Sequence, residues 1–165
     1  MENMLNEREK RITFQEKIIK KYDIPLVFLK VNYPGLNKIN EITKEIIKSV
    51  YIDFNRILNK KVELKLYNET SEGPNYIFLI NCDAYIIKNK AIEFEETHPL
   101  GRLVDIDVYD SKDCKNISRN DLNVPLRKCF LCSKDAFICI REKNHTEEDI
   151  IDYINNSFKK YLKET

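Results

Sequence analysis

The stretch Thr97–Asp110, THPLGRLVDIDVYD, decides how the middle of this chain folds. Val104, Ile106 and Val108 alternate with Asp105 and Asp107, the period-two pattern of a half-buried β-strand. The apolar set belongs in a core, and the two carboxylates then project together from the opposite face. Like charges side by side cost energy unless water, a proton or a cation separates them. Which of the three this face holds is the question the strand raises.

Further strands gather around it. PLVFLKVN (Pro25–Asn32) is short, apolar and β-rich, the pattern of a central strand. KVELKLYN (Lys61–Asn68) sets Val62, Leu64 and Leu66 against polar neighbours. Glu72–Gly73–Pro74–Asn75 signals a turn before YIFLI (Tyr76–Ile80), which makes a hairpin. Asp83–Lys88 reads as a short helix, and AIEFEE (Ala91–Glu96) as one more strand, joined to RLVDIDVY through the THPLG loop.

Helices occupy both ends. Residues 5–22 carry Phe14, Ile18 and Tyr22 at steps of four, with Glu7–Arg11 and Glu16–Lys20 pairs outside. Ile39, Ile42, Ile46, Val50, Phe54 and Ile57 mark the clearest helical stripe, after the turn YPGLNK. A helix begins near Ser133. A last one spans Glu147–Leu162, with Thr146 and Asp149 as a capping box and Ile150, Ile154, Phe158 and Tyr161 as its buried stripe. The expected fold is α+β: one domain over residues 1–165, with a mixed or largely antiparallel central sheet between amino- and carboxy-terminal helices. A nucleotidyltransferase-like arrangement is one form of it.

Composition narrows the function. With a formal net charge of +1, the chain does not hold nucleic acid by bulk positive charge. No stretch approaches the ~20 apolar residues of a membrane span. The charged start MENMLNEREKR lacks the apolar middle of a secretory signal, so the expected location is cytoplasmic. Three glycines leave no room for a Gly-x-Gly-x-x-Gly or Walker loop. Five cysteines in a reducing compartment favour thiols or metal ligands over disulfides.

Two constellations carry chemistry. Carboxylates two apart on a strand lie roughly 7 Å apart, a spacing at which Asp105 and Asp107 could share Mg²⁺ with substrate phosphate oxygens. Arg102 beside them suits a phosphate, and Gly101 would let backbone approach a bulky ligand. The alternative is a solvent-facing strand with idle aspartates. The second constellation, Cys129, Cys132, Cys139 and His145, places four zinc-type ligands within seventeen residues (129–145). Such a site would be structural, because every coordination position is filled. The alternative is that these are buried free cysteines. Arg119, Arg127 and Arg141, with Lys128, could converge on a polyphosphate or lie apart on the surface. His98 could be a base or a hydrogen-bonded loop residue. Cys82 and Cys114 read as structural.

Three blocks, EETHPLGRLVDIDVYD, ISRNDLNVPLRKCFLC and AFICIREKNH, resemble in order the signature of the holo-citrate lyase synthase family. That family is also called apo-citrate lyase phosphoribosyl-dephospho-CoA transferase. REKRITFQEKIIKKYDIPLVFLKVNYPGLNK is similar to its opening helix, strand and Asn-x-Pro-Gly turn, so the resemblance spans nearly the whole chain. It implies a cofactor-loading reaction. A serine of the citrate lyase acyl carrier subunit attacks triphosphoribosyl-dephospho-CoA, and pyrophosphate leaves. It implies Asp105 and Asp107 as Mg²⁺ ligands, Arg102 steadying the triphosphate, and Arg119 and Arg127 as further phosphate contacts. It says nothing of whether the cysteine set binds metal. Lys128 departs from a frequent arginine and Ile140 from a common small residue. Some relatives are fused to the enzyme that makes the donor, so a separate protein is expected to supply it here. The competing readings are a transferase for a malonate decarboxylase type of carrier, a zinc-knuckle module that docks a partner without catalysis, and a non-catalytic assembly factor for the lyase.

Overall fold

A computed structural model describes residues 2–58 and 61–164. Helix α1 (Glu2–Tyr22) contains no glycine or proline and stops where Asp23 turns to φ +54°, two residues before Pro25. Strand β1 (Leu26–Val31) follows, then α2 (Glu41–Leu58) and the hairpin β2 (Val62–Thr70) and β3 (Gly73–Ile80). Helix α3 (Ala84–Thr97) leads through a 3₁₀ turn at Gly101–Leu103 into β4 (Val104–Tyr109). Helices α4 (Ala136–Glu142) and α5 (Glu147–Glu164) close the chain.

The sheet runs β2-β3-β1-β4 with every neighbouring pair antiparallel, which resolves the expectation of a mixed or antiparallel sheet. Against one face pack α2, α3 and α5, burying Val27, Leu29, Phe78, Val104, Ile106 and Val108. Against the other lies α1, whose Ile18 and Ile19 cover Leu26, Phe28, Ile77 and Leu79. The apolar half of the opening stretch is thus fully inside, at 1% exposure or less.

Four local expectations need correction. The stretch 91–96 is not a strand: α3 runs unbroken from Ala84 to Thr97. Asp83 starts it by accepting the Tyr85 and Ile86 N–H groups at 2.9 and 3.1 Å. Ile87, Ala91 and Phe94 then keep helical spacing on the buried face, together with Lys88 and Glu95. Those two charged residues on the inward face obscure the helical period in the sequence. Among the described side chains of α1 the buried ones are Gln15, Ile18 and Ile19, while Phe14 and Tyr22 are exposed. Ile39 precedes α2, which begins at an Asn40–Thr43 capping pair. The hairpin turns at Ser71–Glu72, because Gly73, with φ +99°, already pairs with Thr70.

Strand β4 is an edge, and unpaired edges invite other chains. Here side chains and loop occupy its outer backbone groups. Lys88 donates to the Ile106 carbonyl at 3.1 Å, and Glu95 accepts the Ile106 N–H at 3.0 Å. The Ile117 N–H reaches the Val108 carbonyl at 2.8 Å, and Arg127 the Val104 carbonyl at 3.0 Å.

Candidate active site

Because β1 is paired on both sides, its register sets out the polar face of the sheet residue by residue. Lys30 stands opposite Asp105 of β4 and also opposite Asn75 of β3, whose own partner in β2 is Asn68. Directly opposed residues of an antiparallel ladder share a face. Asp105, Lys30, Asn75 and Asn68 therefore form one polar row across all four strands. The next row, Asp107–Phe28–Ile77–Leu66, is polar only at the β4 end. The sheet thus grades from an apolar floor beneath α1 to a charged strip beside it.

On that strip the aspartates have partners within the protein. The Arg127 guanidinium bonds the Asp105 carboxylate, and Lys30 Nζ lies 4.0 Å from its other oxygen. Asn116 donates to Asp107 at 2.9 Å. Arg127, Lys30 and the Asn116 amide balance the two like charges within the protein. Both carboxylates stay partly exposed, with Asp105 at 31%.

Several residues of this surface were not singled out from the sequence. Arg11 of α1 lies over the Phe28 ring at 4.3 Å and grips Glu72 through two nitrogens at 2.6 and 3.2 Å. It also donates to Gln15 at 2.9 Å. Burial works against the Arg11 charge, but Glu72 and Tyr109 outweigh it and hold the guanidinium above its usual value. Lys38 is pulled below the ordinary lysine range by burial and then by Lys30, while Glu72, Asp105 and Glu147 pull the other way. A cleft of about 240 Å³ opens between α1 and the hairpin, lined by Arg11, Phe14, Asn68, Thr70, Glu72 and Asn75. The sequence held one signal for it: Lys30 interrupts the apolar strand Pro25–Asn32.

The remaining sequence candidates divide. Arg127 belongs to the strip. Arg119 turns away to α3, pairing with Glu95 at 2.9 Å and Glu96 at 2.8 Å. Arg102 bonds the Lys128 and Cys129 carbonyls and lies 5.7 Å from the Phe130 ring centre. Gly101 is tight against protein: an added Cβ would meet the Phe94 carbonyl oxygen at 2.4 Å. That closeness accounts for the glycine through packing on α3. His98 sits across the sheet from the strip, stacked on Phe94 at 4.4 Å. Its Nδ1 accepts the Leu100 N–H at 3.1 Å, and Nε2 faces Asp53 at 3.2 Å. It ties a loop to α2, which favours the loop-residue alternative. Arg141 and Lys128 are exposed, Lys128 paired with Asp135.

Cys129, Cys132, Cys139 and His145 do converge. One ligand atom from each lies within 4.8 Å of all the others, so the group could hold a metal ion such as zinc. Burial, and then neighbouring Cys132, push the Cys139 thiol up to about 11. Cys82 and Cys114 pack at the margins of the two cores. Among the described residues no helix is long and apolar enough to cross a membrane.

Fold and site together define an α+β protein with a charged strip at one end of an open antiparallel sheet, of the kind suited to handling an anionic substrate. A family model described as apo-citrate lyase phosphoribosyl-dephospho-CoA transferase matches residues 1–161, and the chain belongs to that family. It is 30% identical over 165 residues to a probable apo-citrate lyase phosphoribosyl-dephospho-CoA transferase of Vibrio cholerae, covering 98% of this chain and 92% of the relative. An Escherichia coli protein of that name is 32% identical over 152 residues, covering 90% and 82%. The Leuconostoc mesenteroides protein CitXG is 31% identical over 166 residues, and 97% of this chain matches 35% of that longer protein. The match spans the whole fold, strip included, and is not confined to the cysteine segment.

Proposed function

We propose that this enzyme transfers the phosphoribosyl-dephospho-CoA group of triphosphoribosyl-dephospho-CoA onto a serine of the citrate lyase acyl carrier subunit. The serine oxygen bonds to the innermost phosphorus, the bond to the next phosphate oxygen breaks, and pyrophosphate leaves. The hydroxyl proton is given up to base or solvent. Family membership over residues 1–161 supports the reaction, and the Asp105–Lys30–Asn75–Asn68 row is the observation that carries the choice of site.

The donor is a polyanion, and its leaving group gains charge as the bond breaks. Fixed cations aimed at that charge are the largest catalytic resource such a site has. Lys30, Lys38 and Arg127 supply them. Asp105 and Asp107 would hold Mg²⁺: both are partly exposed on one face, a chemistry that hard cation favours. Bound there, the ion would polarise phosphoryl oxygens and neutralise pyrophosphate. The donor's phosphates would take over Lys30 and Arg127, releasing Asp105 for that role. Arg102 and Arg119, tied to carbonyls and to α3, shape the scaffold instead of touching phosphate. A metal in the cysteine cluster would be structural, since protein fills all four positions.

Incubating the enzyme with apo-carrier, donor and Mg²⁺, followed by intact mass spectrometry of the carrier, tests the reading. A gain equal to phosphoribosyl-dephospho-CoA on serine is expected. Folded enzyme that yields no such gain on citrate lyase carrier, yet loads a malonate decarboxylase carrier, would overturn the choice of acceptor. Failure on both would overturn the activity.

A further inference from the structure

We infer that Cys129, Cys132, Cys139 and His145 bind one Zn²⁺, and that this ion holds Arg127 in place on the acidic strand. The first half stands on geometry alone. The second rests on the proposed site at Asp105.

A tetrahedral zinc with bonds of about 2.3 Å to sulfur and 2.0 Å to nitrogen needs its sulfurs roughly 3.8 Å apart and the nitrogen roughly 3.5 Å from each. The Cys132 and Cys139 sulfurs are 3.4 Å apart, and no pair in the set exceeds 4.8 Å. Shifts of about an ångström or less, that sulfur pair spreading and the wider pairs closing, complete the shell. His145 supplies a second, independent observation. Its Nε2 is buried and has no hydrogen-bond partner, a costly state for an imidazole nitrogen. A metal bond removes that cost. The sulfurs also receive the N–H groups a metal-bound thiolate uses: Leu131 N–H lies 3.5 Å from Cys129, and the Asn144 amide 3.8 Å from Cys139. Three sulfurs and one imidazole favour zinc over Mg²⁺ or Ca²⁺.

The segment also has little apolar packing of its own. Leu126, Leu131, Phe137 and Ile140 are all exposed, and Cys139 is the only buried residue described in α4. A seven-residue helix is too short to persist by itself. A metal can replace the missing apolar core, as in small metal-folded domains. Binding would release the thiol protons of the three cysteines to solvent.

The knuckle is tied to the strip by both neighbouring arginines. Arg127, two residues before Cys129, has its carbonyl bonded by Ala136 N–H at 2.8 Å, while its guanidinium reaches the Asp105 carboxylate and the Val104 carbonyl. Arg102 bonds the Lys128 and Cys129 carbonyls from the 3₁₀ turn just before β4. Phe130 stacks on Tyr153 of α5 with ring centres 5.1 Å apart. If the knuckle opens, the Arg127 bonds to the Asp105 carboxylate and the Val104 carbonyl open with it.

The full chain, purified under reducing conditions, should carry about one zinc per molecule by elemental analysis, as a closed four-ligand site requires. Exchange for Co²⁺ should give the intense visible bands of a tetrahedral thiolate site. Cys132→Ser and His145→Ala should each lose the metal. Removing zinc with a chelator should lower Tm and shift the NMR signals of Val104 and Asp105, the two β4 residues that Arg127 bonds, more than those of the β2–β3 hairpin. Folded protein without stoichiometric zinc, a weak octahedral cobalt spectrum, or a Cys132–Cys139 disulfide in place of the metal would overturn the site. Zinc removal that leaves the Val104 and Asp105 signals unchanged would overturn the coupling. These readouts use no substrate, so they fail or hold independently of the transferase activity.

Discussion

Lys30 and Asp105 face each other across the β1–β4 ladder, Nζ 4.0 Å from Oδ2, at the level where the sheet changes from apolar to polar. The pair is partly exposed, so its own contribution to stability is small. Its position matters more. It places a cation and a carboxylate side by side where the neighbouring rows bury Phe28 and Ile77.

Asp107→Asn should give a folded protein whose carrier-loading rate falls roughly 100-fold or more, the scale for losing one charged group that acts in the transition state. Asn116 can still bond the new amide, so Tm should change little. Single-turnover rates read against Tm check this. A wild-type rate would remove Asp107 from the reaction.

Lys30→Met keeps the stem of the side chain and deletes the charge. Losing one charge-assisted contact to the donor should cost roughly ten- to 100-fold in kcat/KM. Varying donor and carrier separately locates the effect, which is expected in the donor's KM.

Glu95 is a stability site. It is 5% exposed, pairs with Arg119, lies 4.0 Å from Arg127 and caps the Ile106 N–H. Glu95→Ala would leave the Ile106 N–H without a partner and Arg119 held by the exposed Glu96 and the Pro125 carbonyl, at a cost of about 3 kcal/mol. Chemical denaturation of wild type and variant measures it, with Glu93→Ala as an exposed control on the same helix.

Gly101→Ala adds a Cβ 2.4 Å from one α3 carbonyl oxygen and 2.7 Å from the next. Both are backbone atoms and cannot swing aside, so overpacking should cost about 2–3 kcal/mol. Thermal unfolding checks it. A neutral result would show that the 3₁₀ turn shifts freely against α3.

Thr146→Ala should cost about 1 kcal/mol, the usual worth of a helix N-cap. The Thr146 hydroxyl accepts the Asp149 N–H at 3.1 Å, and Asp149 accepts from Thr146 in return. The loss should appear as a lower Tm and faster exchange in the first turn of α5.

Much of this was written locally. Period-two alternation made Val104–Tyr109 a strand with its aspartates on one face, and a buried Val104, Ile106 and Val108 agree. The Thr146–Asp149 cap and the central strand at Leu26–Val31 were legible for the same reason: each depends on residues a few positions apart. The stretch 91–96 was not, because Lys88 and Glu95 sit on the inward face of α3 and hide its helical period. They are inward because β4 is an edge whose Ile106 groups need partners, a demand set by sheet order.

The sequence by itself picked out the pair Asp105 and Asp107, the grouping Cys129, Cys132, Cys139 and His145, and the kinship of the chain. Tertiary structure alone decided what stands beside them. Strand order put Lys30 and Asn75 in the row with Asp105, and the path of residues 116–127 along β4 brought Asn116 and Arg127 to the aspartates. It also sent Arg119 to α3 and His98 to the far side of the sheet. The physical reason is range. Periodicity and caps act over one or two turns of chain, whereas a charge's partner is set by which strands pair, and at what register.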